Sequence, residues 1–159
     1  MELLIGLTKE LSALLLVFTA LFAYAIVRGQ RALLSLVFGL YIALLISVEF
    51  PYYDAAIRSL SFMSEHAVRM LFFALFTAFG SILFERLLSR MFDETAIEGI
   101  GKKVILSLLA TALIMSFSYH VLPITNLIDP GARIGSLFAP QEYFFWWLIL
   151  PLVGIMIVF

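Results

Sequence analysis

Residues 32–48 read ALLSLVFGLYIALLISV, an apolar stretch without formal charge between Arg31 and Glu49. A bilayer core about 30 Å thick needs roughly 20 helical residues, so this stretch and its flanking residues have the length of one membrane crossing. A membrane-spanning β-strand would alternate apolar and polar residues, and this stretch does not. Because a helix satisfies all of its backbone hydrogen bonds internally, the stretch predicts a transmembrane helix.

The composition of the whole chain agrees with this prediction. Of its 159 residues 64% are hydrophobic and 13% are charged, whereas soluble domains are roughly 45–50% apolar and about 25% charged. The net charge of −1 gives no basis for binding nucleic acid. The absence of cysteine excludes disulfides, thiol nucleophiles and thiolate metal centres. We therefore expect a single transmembrane domain, residues 1–159.

Similar uncharged runs recur along the chain and are bounded by charged residues. They predict an all-α fold, a polytopic integral membrane helix bundle of four to five transmembrane helices. The expected spans are approximately 8–27, 32–49, 67–86, 103–122 and 142–159. For the last of them, which contains Pro151, a half-span or a helix in the interface remains an alternative.

Two connecting segments mix apolar and charged residues in a way that is typical of helices lying on a membrane surface. These interfacial helices are expected at approximately 54–63 and 87–98. Ser64, which follows the first of them, is expected to cap the third span.

Basic residues are concentrated in two of the connections, 28–31 and 85–103, which hold Arg28, Arg31, Arg86, Arg90, Lys102 and Lys103. Short loops rich in lysine and arginine stay in the cytoplasm. This distribution predicts that both connections are cytoplasmic and that the N-terminus lies outside.

The second span carries small residues at every fourth position: Ser35, Gly39, Ala43 and Ser47. Positions four apart share one helix face, and small side chains there let two helices in a membrane approach closely. Two readings stay open, packing against another helix of the same chain and an interface between subunits.

The fourth span carries polar residues, among them Thr111, Ser116, Ser118 and His120. An ionisable group near lipid suggests a proton or substrate path. The alternative is that the hydroxyls bond to their own helix and that His120 lies near the outer end of its span.

No constellation of residues predicts catalysis, and we expect neither a cofactor nor a metal site. The sequence lacks the HExxH and GxSxG motifs and a glycine-rich phosphate loop. Glu65 and His66 are adjacent, so they cannot both point at one ion from a helix. An intramembrane enzyme would have to use Glu85, Asp54 or His120.

One stretch resembles a known family. Residues 25–46, AIVRGQRALLSLVFGLYIALLI, contain an Arg28-Gly29 turn, a second basic residue at Arg31 and a Leu-Ser-Leu helix. In these features the stretch resembles the colicin V production protein (CvpA) family, although Gln30 stands where that family usually has an aromatic residue. The resemblance implies a small protein of the bacterial inner membrane, linked to toxin production or export and to envelope homeostasis, without an established enzymatic activity.

Three functions remain in competition. The favoured hypothesis is a non-enzymatic envelope scaffold or partner subunit, whose partners are membrane lipids and either further copies of itself or other membrane proteins. The second is a small oligomeric channel or transporter, and the third is the intramembrane enzyme.

Overall fold

The computed structural model describes residues 2–60, 62–88, 99–120, 132–138 and 140–158. Every regular element within these ranges is a helix, so the predicted all-α class is confirmed. The helices are α1 (Glu2–Arg28), α2 (Gln30–Glu49), α3 (Tyr53–Ser59), α4 (Glu65–Leu88), α5 (Ile100–His120), α6 (Ala132–Phe138) and α7 (Gln141–Val158).

Three of these helices, α2, α4 and α5, are long and apolar enough to cross a membrane. Two shorter apolar segments, Leu14–Arg28 and Gln141–Ile157, belong to α1 and α7. Three helices of this kind indicate a helical membrane protein.

The helices extend beyond the apolar runs that define the expected spans. α4 begins at Glu65 rather than near 67 and continues to Leu88, and α1 begins at Glu2 rather than near 8. Helical hydrogen bonding does not require a lipid environment, so charged residues flanking an apolar run continue the helix. Residues 121 and 122, which end the fourth expected span, lie outside the described residues.

A short helix, α3, covers part of the segment 54–63, for which an interfacial helix is expected, and ends at Ser59. The carbonyl of Ala56 accepts both the Leu60 N–H and the Ser59 hydroxyl, each at 2.9 Å. A serine side chain that bonds to the backbone in this way favours a turn over further helix. Of the second expected interfacial helix, 87–98, residues 87 and 88 belong to α4, and residues 89–98 lie outside the described residues.

The start of α4 is capped as the sequence predicts. The Ser64 hydroxyl accepts a hydrogen bond from the Ala67 N–H at 3.3 Å, which satisfies one of the backbone donors that a helix start leaves free. Behind the cap, Glu65 forms an ion pair with Arg69 at 2.9 Å. The guanidinium of Arg69 also lies over the Tyr53 ring, 5.4 Å from its centroid, and so connects α4 with α3.

The chain divides into two compact units, one made of Met1–Leu33 with Glu94–Phe159 and the other of Leu34–Asp93. In the first unit α5 is the central helix, because both α1 and α7 pack against it. Its side chains include the largest fully buried one described, Phe117, together with Leu106 and Leu113. In the second unit α4 packs against α3 and against the part of α2 that belongs to that unit.

Candidate functional site

In the second unit, α2 and α4 form an antiparallel pair. Aromatic contacts connect the early part of α2 with the late part of α4, since the Phe38 and Phe84 ring centroids are 4.9 Å apart. Beyond the other end of α2, Phe50 packs on Phe76 of α4 with ring centroids 5.3 Å apart. These two contacts determine which residues of α2 and α4 face each other in the stretch that lies between the contacts.

Two glycines lie where α2 and α4 approach most closely. A Cβ atom built on Gly39 would lie 2.7 Å from the Ser81 backbone nitrogen and 2.7 Å from the Thr77 carbonyl oxygen. A Cβ atom built on Gly80 would lie 2.9 Å from the Gly39 Cα atom. Real Cβ atoms do not approach backbone this closely, so the crossing requires glycine on both helices.

The structure places the strip of small residues inside the chain rather than on a free surface. Ser35 and Ala43 are buried, Gly39 is covered by α4, and Ser47 is half-buried. Because α4 occupies the approach to Gly39, a second chain cannot pack there. An interface between subunits would have to use a different helix face.

Most serine and threonine hydroxyls of α4 and α5 bond to their own helix. On α5, Ser107 donates to the Lys103 carbonyl, Thr111 to the Ser107 carbonyl and Ser118 to the Ile114 carbonyl, over 2.7 to 2.8 Å. On α4, Thr77 and Ser81 do the same with the carbonyls of Phe73 and Thr77. Such a bond uses the hydroxyl proton and leaves the oxygen able only to accept. Thr111 and Ser118 in this arrangement could therefore offer acceptors, but not donors, to a polar path.

Ser116 and His120 differ from the other polar residues of α5. Ser116 is fully buried, and its Oγ has no hydrogen-bond partner among the described residues. The Nδ1 of His120 lies 3.1 Å from the Ser116 carbonyl oxygen, while its buried Nε2 also lacks a partner there. The two residues are one helical turn apart and share a face of α5, as their spacing predicts.

Helix α7 holds the His120 ring in place. The ring stacks on Phe144 with centroids 4.3 Å apart and planes inclined by 23°. Beside it, Phe138 of α6 stacks on Trp147 of α7, with centroids 4.4 Å apart. The Trp147 indole N–H donates to the Leu137 carbonyl at 2.9 Å. This end of α5 is therefore enclosed by aromatic rings.

One residue that sequence reasoning did not select joins the start of α2 to the start of α5. Gln30 is only 4% exposed, and its Nε2 donates to the Gly99 carbonyl at 2.8 Å. The sequence identifies it only as a departure from the CvpA pattern, between Arg28 and Arg31. Gly29 alone separates α1 from α2 and adopts φ +86°, a conformation that favours glycine. This makes the Arg28-Gly29 step a tight helix–helix turn.

Of the three helices long enough to cross a membrane, α4 is the least buried, and its exposed face is called the outward face here. Only 17% of its apolar window is buried, compared with 56% for α5. Its exposed residues include Leu71, Ala74, Leu75, Ala78, Phe79 and Ile82. Their spacing follows one stripe of the helix, on the side away from Gly80.

The acidic and histidine residues of the described ranges were candidates for metal binding. Within the described ranges no group of three or more His, Asp or Glu residues could hold a metal ion. Glu65 is paired with Arg69, and His66 and Asp54 are exposed.

Comparisons with known proteins identify no relative. No protein-family model matches the chain, and neither a curated protein nor a solved structure matches it.

Proposed function

We propose that this chain is a multi-pass protein of the bacterial inner membrane that acts as a non-enzymatic envelope scaffold or partner subunit, in the manner of the CvpA family. In this proposal α1, α2, α4, α5 and α7 all cross the bilayer, with the N-terminus outside. At 1.5 Å per residue, the 20 residues of α2 and the 18 of α7 extend about 30 and 27 Å, which is sufficient for one crossing each.

The observation that carries the proposal is the outward face of α4. Ala74 and Ala78 are exposed and lie four residues apart among the larger Leu71, Leu75 and Phe79. A helix that meets only lipid tails has no need of small residues, whereas a partner helix approaches closely over them. Since Gly80 and Gly39 already serve the contact inside the chain, this second pair of small residues favours a contact with another protein.

A bulky residue at Ala78 tests this proposal. We expect Ala78→Phe to leave folding unchanged, because the side chain is exposed, but to remove the partner from material purified in mild detergent. Leu45→Phe is the matched control, since Leu45 is 68% exposed on α2 and is expected to retain the partner.

The readout is the mass of the purified complex, together with its helix content by circular dichroism. A complex of unchanged mass with Ala78→Phe, or a wild-type protein that purifies as a single chain, would count against the scaffold function.

A small oligomeric channel or transporter is the second candidate. The Ser116 Oγ and the His120 Nε2, which have no hydrogen-bond partner among the described residues, favour it. The hydroxyls that bond to their own helix on α5 oppose it, because they leave few hydrogen-bond donors to line a path. Flux of ions or protons through liposomes that hold the purified protein would distinguish this candidate from a scaffold.

A further inference from the structure

The turn between α1 and α2 lies against the start of α5. Gln30, which is only 4% exposed, donates from its Nε2 to the Gly99 carbonyl oxygen at 2.8 Å. The same carbonyl accepts the Lys103 N–H at 3.2 Å, within the first turn of α5. This hydrogen bond of Gln30 therefore holds the beginning of α2 beside the beginning of α5. The buried Gln30 Oε1 at this contact has no partner in the described part of the chain.

Each of the two segments joined in this way carries two cations. Arg28 and Arg31 belong to the first segment, and Lys102 and Lys103 belong to the second. We call the two segments, residues 28–31 and 99–103, the basic corner, and neither of them contains an acidic residue. Arg28 is exposed and the other three cations are half-buried. A half-buried lysine or arginine packs its aliphatic stem and keeps its charge at the surface.

The helices that begin at the basic corner lack the acid that usually stabilises a helix start. The first turn of a helix carries partial positive charge, which anions stabilise and cations destabilise. The helices α3, α4 and α7 each have an acid in the first turn. The first turns of α2 and α5 have none and contain Arg31, Lys102 and Lys103 instead. An anion bound at the basic corner would offset this concentration of positive charge.

The surroundings of the basic corner favour a lipid over a soluble anion. A Cβ atom built on Gly29 or on Gly101 would have nothing within 4 Å, so the backbone of both segments is open to an approaching group. Exposed aliphatic side chains lie next to the cations in the chain, and they are Val27, Ile100, Val104 and Ile105. The cations thus lie where apolar surface gives way to polar surface, which is the depth of phospholipid phosphates in a bilayer.

We propose that the basic corner binds the phosphate of an anionic phospholipid, whose acyl chains stay in the bilayer. Phosphate oxygens accept charge-assisted hydrogen bonds from arginine and lysine. A zwitterionic headgroup carries a cation of its own and therefore offsets less of the positive charge. The proposal rests on the membrane location proposed above but not on the scaffold function, since the outward face of α4 takes no part. Ala78→Phe is accordingly expected to leave lipid binding unchanged.

The test uses the full chain in phosphatidylcholine vesicles that contain spin-labelled phosphatidylglycerol or spin-labelled phosphatidylcholine. Electron paramagnetic resonance measures the fraction of each labelled lipid that the protein immobilises. We expect the wild-type protein to prefer phosphatidylglycerol at low ionic strength. Replacing both Arg28 and Arg31 by glutamine, or both Lys102 and Lys103, is expected to lower this preference by up to about fivefold for each charge removed.

Three controls identify the cause of such a loss. The pair Lys102→Arg and Lys103→Arg keeps the charge and is expected to keep the preference, with helix content checked by circular dichroism. Arg58→Gln removes an exposed cation of α3, outside the basic corner, and is expected to leave the preference in place. Inorganic phosphate is expected to lower the preference no more than chloride does at equal ionic strength, because both act only by screening.

Equal immobilisation of the two lipids by the wild-type protein would overturn the proposal, because the cations would then be neutralised within the chain. So would a preference that only one of the two glutamine pairs reduces, since the two segments would not act together. Displacement of phosphatidylglycerol by inorganic phosphate, but not by chloride, would identify a soluble anion as the ligand in place of a lipid.

Discussion

Replacing Gly39 by leucine is expected to destabilise the protein by about 3 kcal/mol or more, at the upper end of the range for overpacked cores. The atoms nearest to a built Cβ include backbone atoms of α4, the Ser81 nitrogen and the Thr77 carbonyl oxygen, both at 2.7 Å. A flexible side chain could rotate away, but backbone cannot, so the two helices must separate. Separation also disturbs the ring contact between Phe38 and Phe84.

The measurement is loss of helix on titration of the detergent-solubilised protein with sodium dodecyl sulfate. Gly101→Leu is the matched control, because it changes a helical glycine in the same way at a position with nothing within 4 Å of the built Cβ. If Gly39→Leu does not fold at all, Gly39→Ala is expected to lower the transition midpoint in the same direction. Midpoints of the Gly39 and Gly101 variants that coincide would contradict the close crossing.

Truncation of Phe117 to alanine is expected to have the second largest effect. Phe117 is 1% exposed, and its ring centroid lies 6.4 Å from that of Phe144 on α7. A residual cavity on the order of 100 Å³ at about 24 cal/mol per Å³ amounts to roughly 2 kcal/mol. In a soluble protein, the free energy of transferring the ring from the interior to water would add to this loss. In a membrane this contribution is small, because a side chain on a separated helix meets lipid tails that are equally apolar.

The same titration measures this loss, with Leu108→Ala as its control. Leu108 lies on α5 as well but is 57% exposed, so its truncation leaves no cavity and is expected to change the midpoint little. A Phe117→Ala protein as stable as Leu108→Ala would show that α5 and α7 do not pack as described.

The helical class of the fold could be predicted because it depends only on the length of the uncharged runs. Which helices are more buried than others could not be predicted. α5 has the lowest mean hydropathy of the three spans, 1.7, and is the most buried, whereas α4, at 1.9, is the least. In a membrane the interior of a bundle accepts polar side chains that lipid does not, so hydropathy is a poor guide to burial.

The glycine of α4 that packs against Gly39 can be recognised in the sequence only once the fold is known. The run Ala78-Phe79-Gly80-Ser81 contains the second glycine, and a glycine inside a helix often has a packing reason. Sequence alone does not show which small residues of α4 face α2. That depends on the rotation of α4, which places Gly80 inward and Ala78 outward.

The polar residues of α5, and Gln30 at the turn between α1 and α2, show the same limit of prediction from sequence. Ser116 and Ser118 are the same residue type on one helix, and the sequence does not show that their hydrogen bonds differ. In the structure the Ser118 hydroxyl bonds to its own helix, whereas the Ser116 hydroxyl has no partner in the described part of the chain. Gln30 lies between two arginines and so resembles a solvated turn residue. Gln30 is nevertheless only 4% exposed, and its Nε2 donates to the carbonyl of Gly99, which is distant in the chain.

Cysteine labelling in intact cells tests the central claim, that α2, α4 and α5 cross the membrane, because the chain has no cysteine of its own. We predict that Ser59→Cys, on α3 between two spans, reacts with a membrane-impermeant maleimide in intact cells. Gly101→Cys, at the start of α5, is predicted to react only after the membrane is permeabilised. Equal labelling of both positions in intact cells would contradict the account, and so would recovery of the protein in the soluble fraction without detergent.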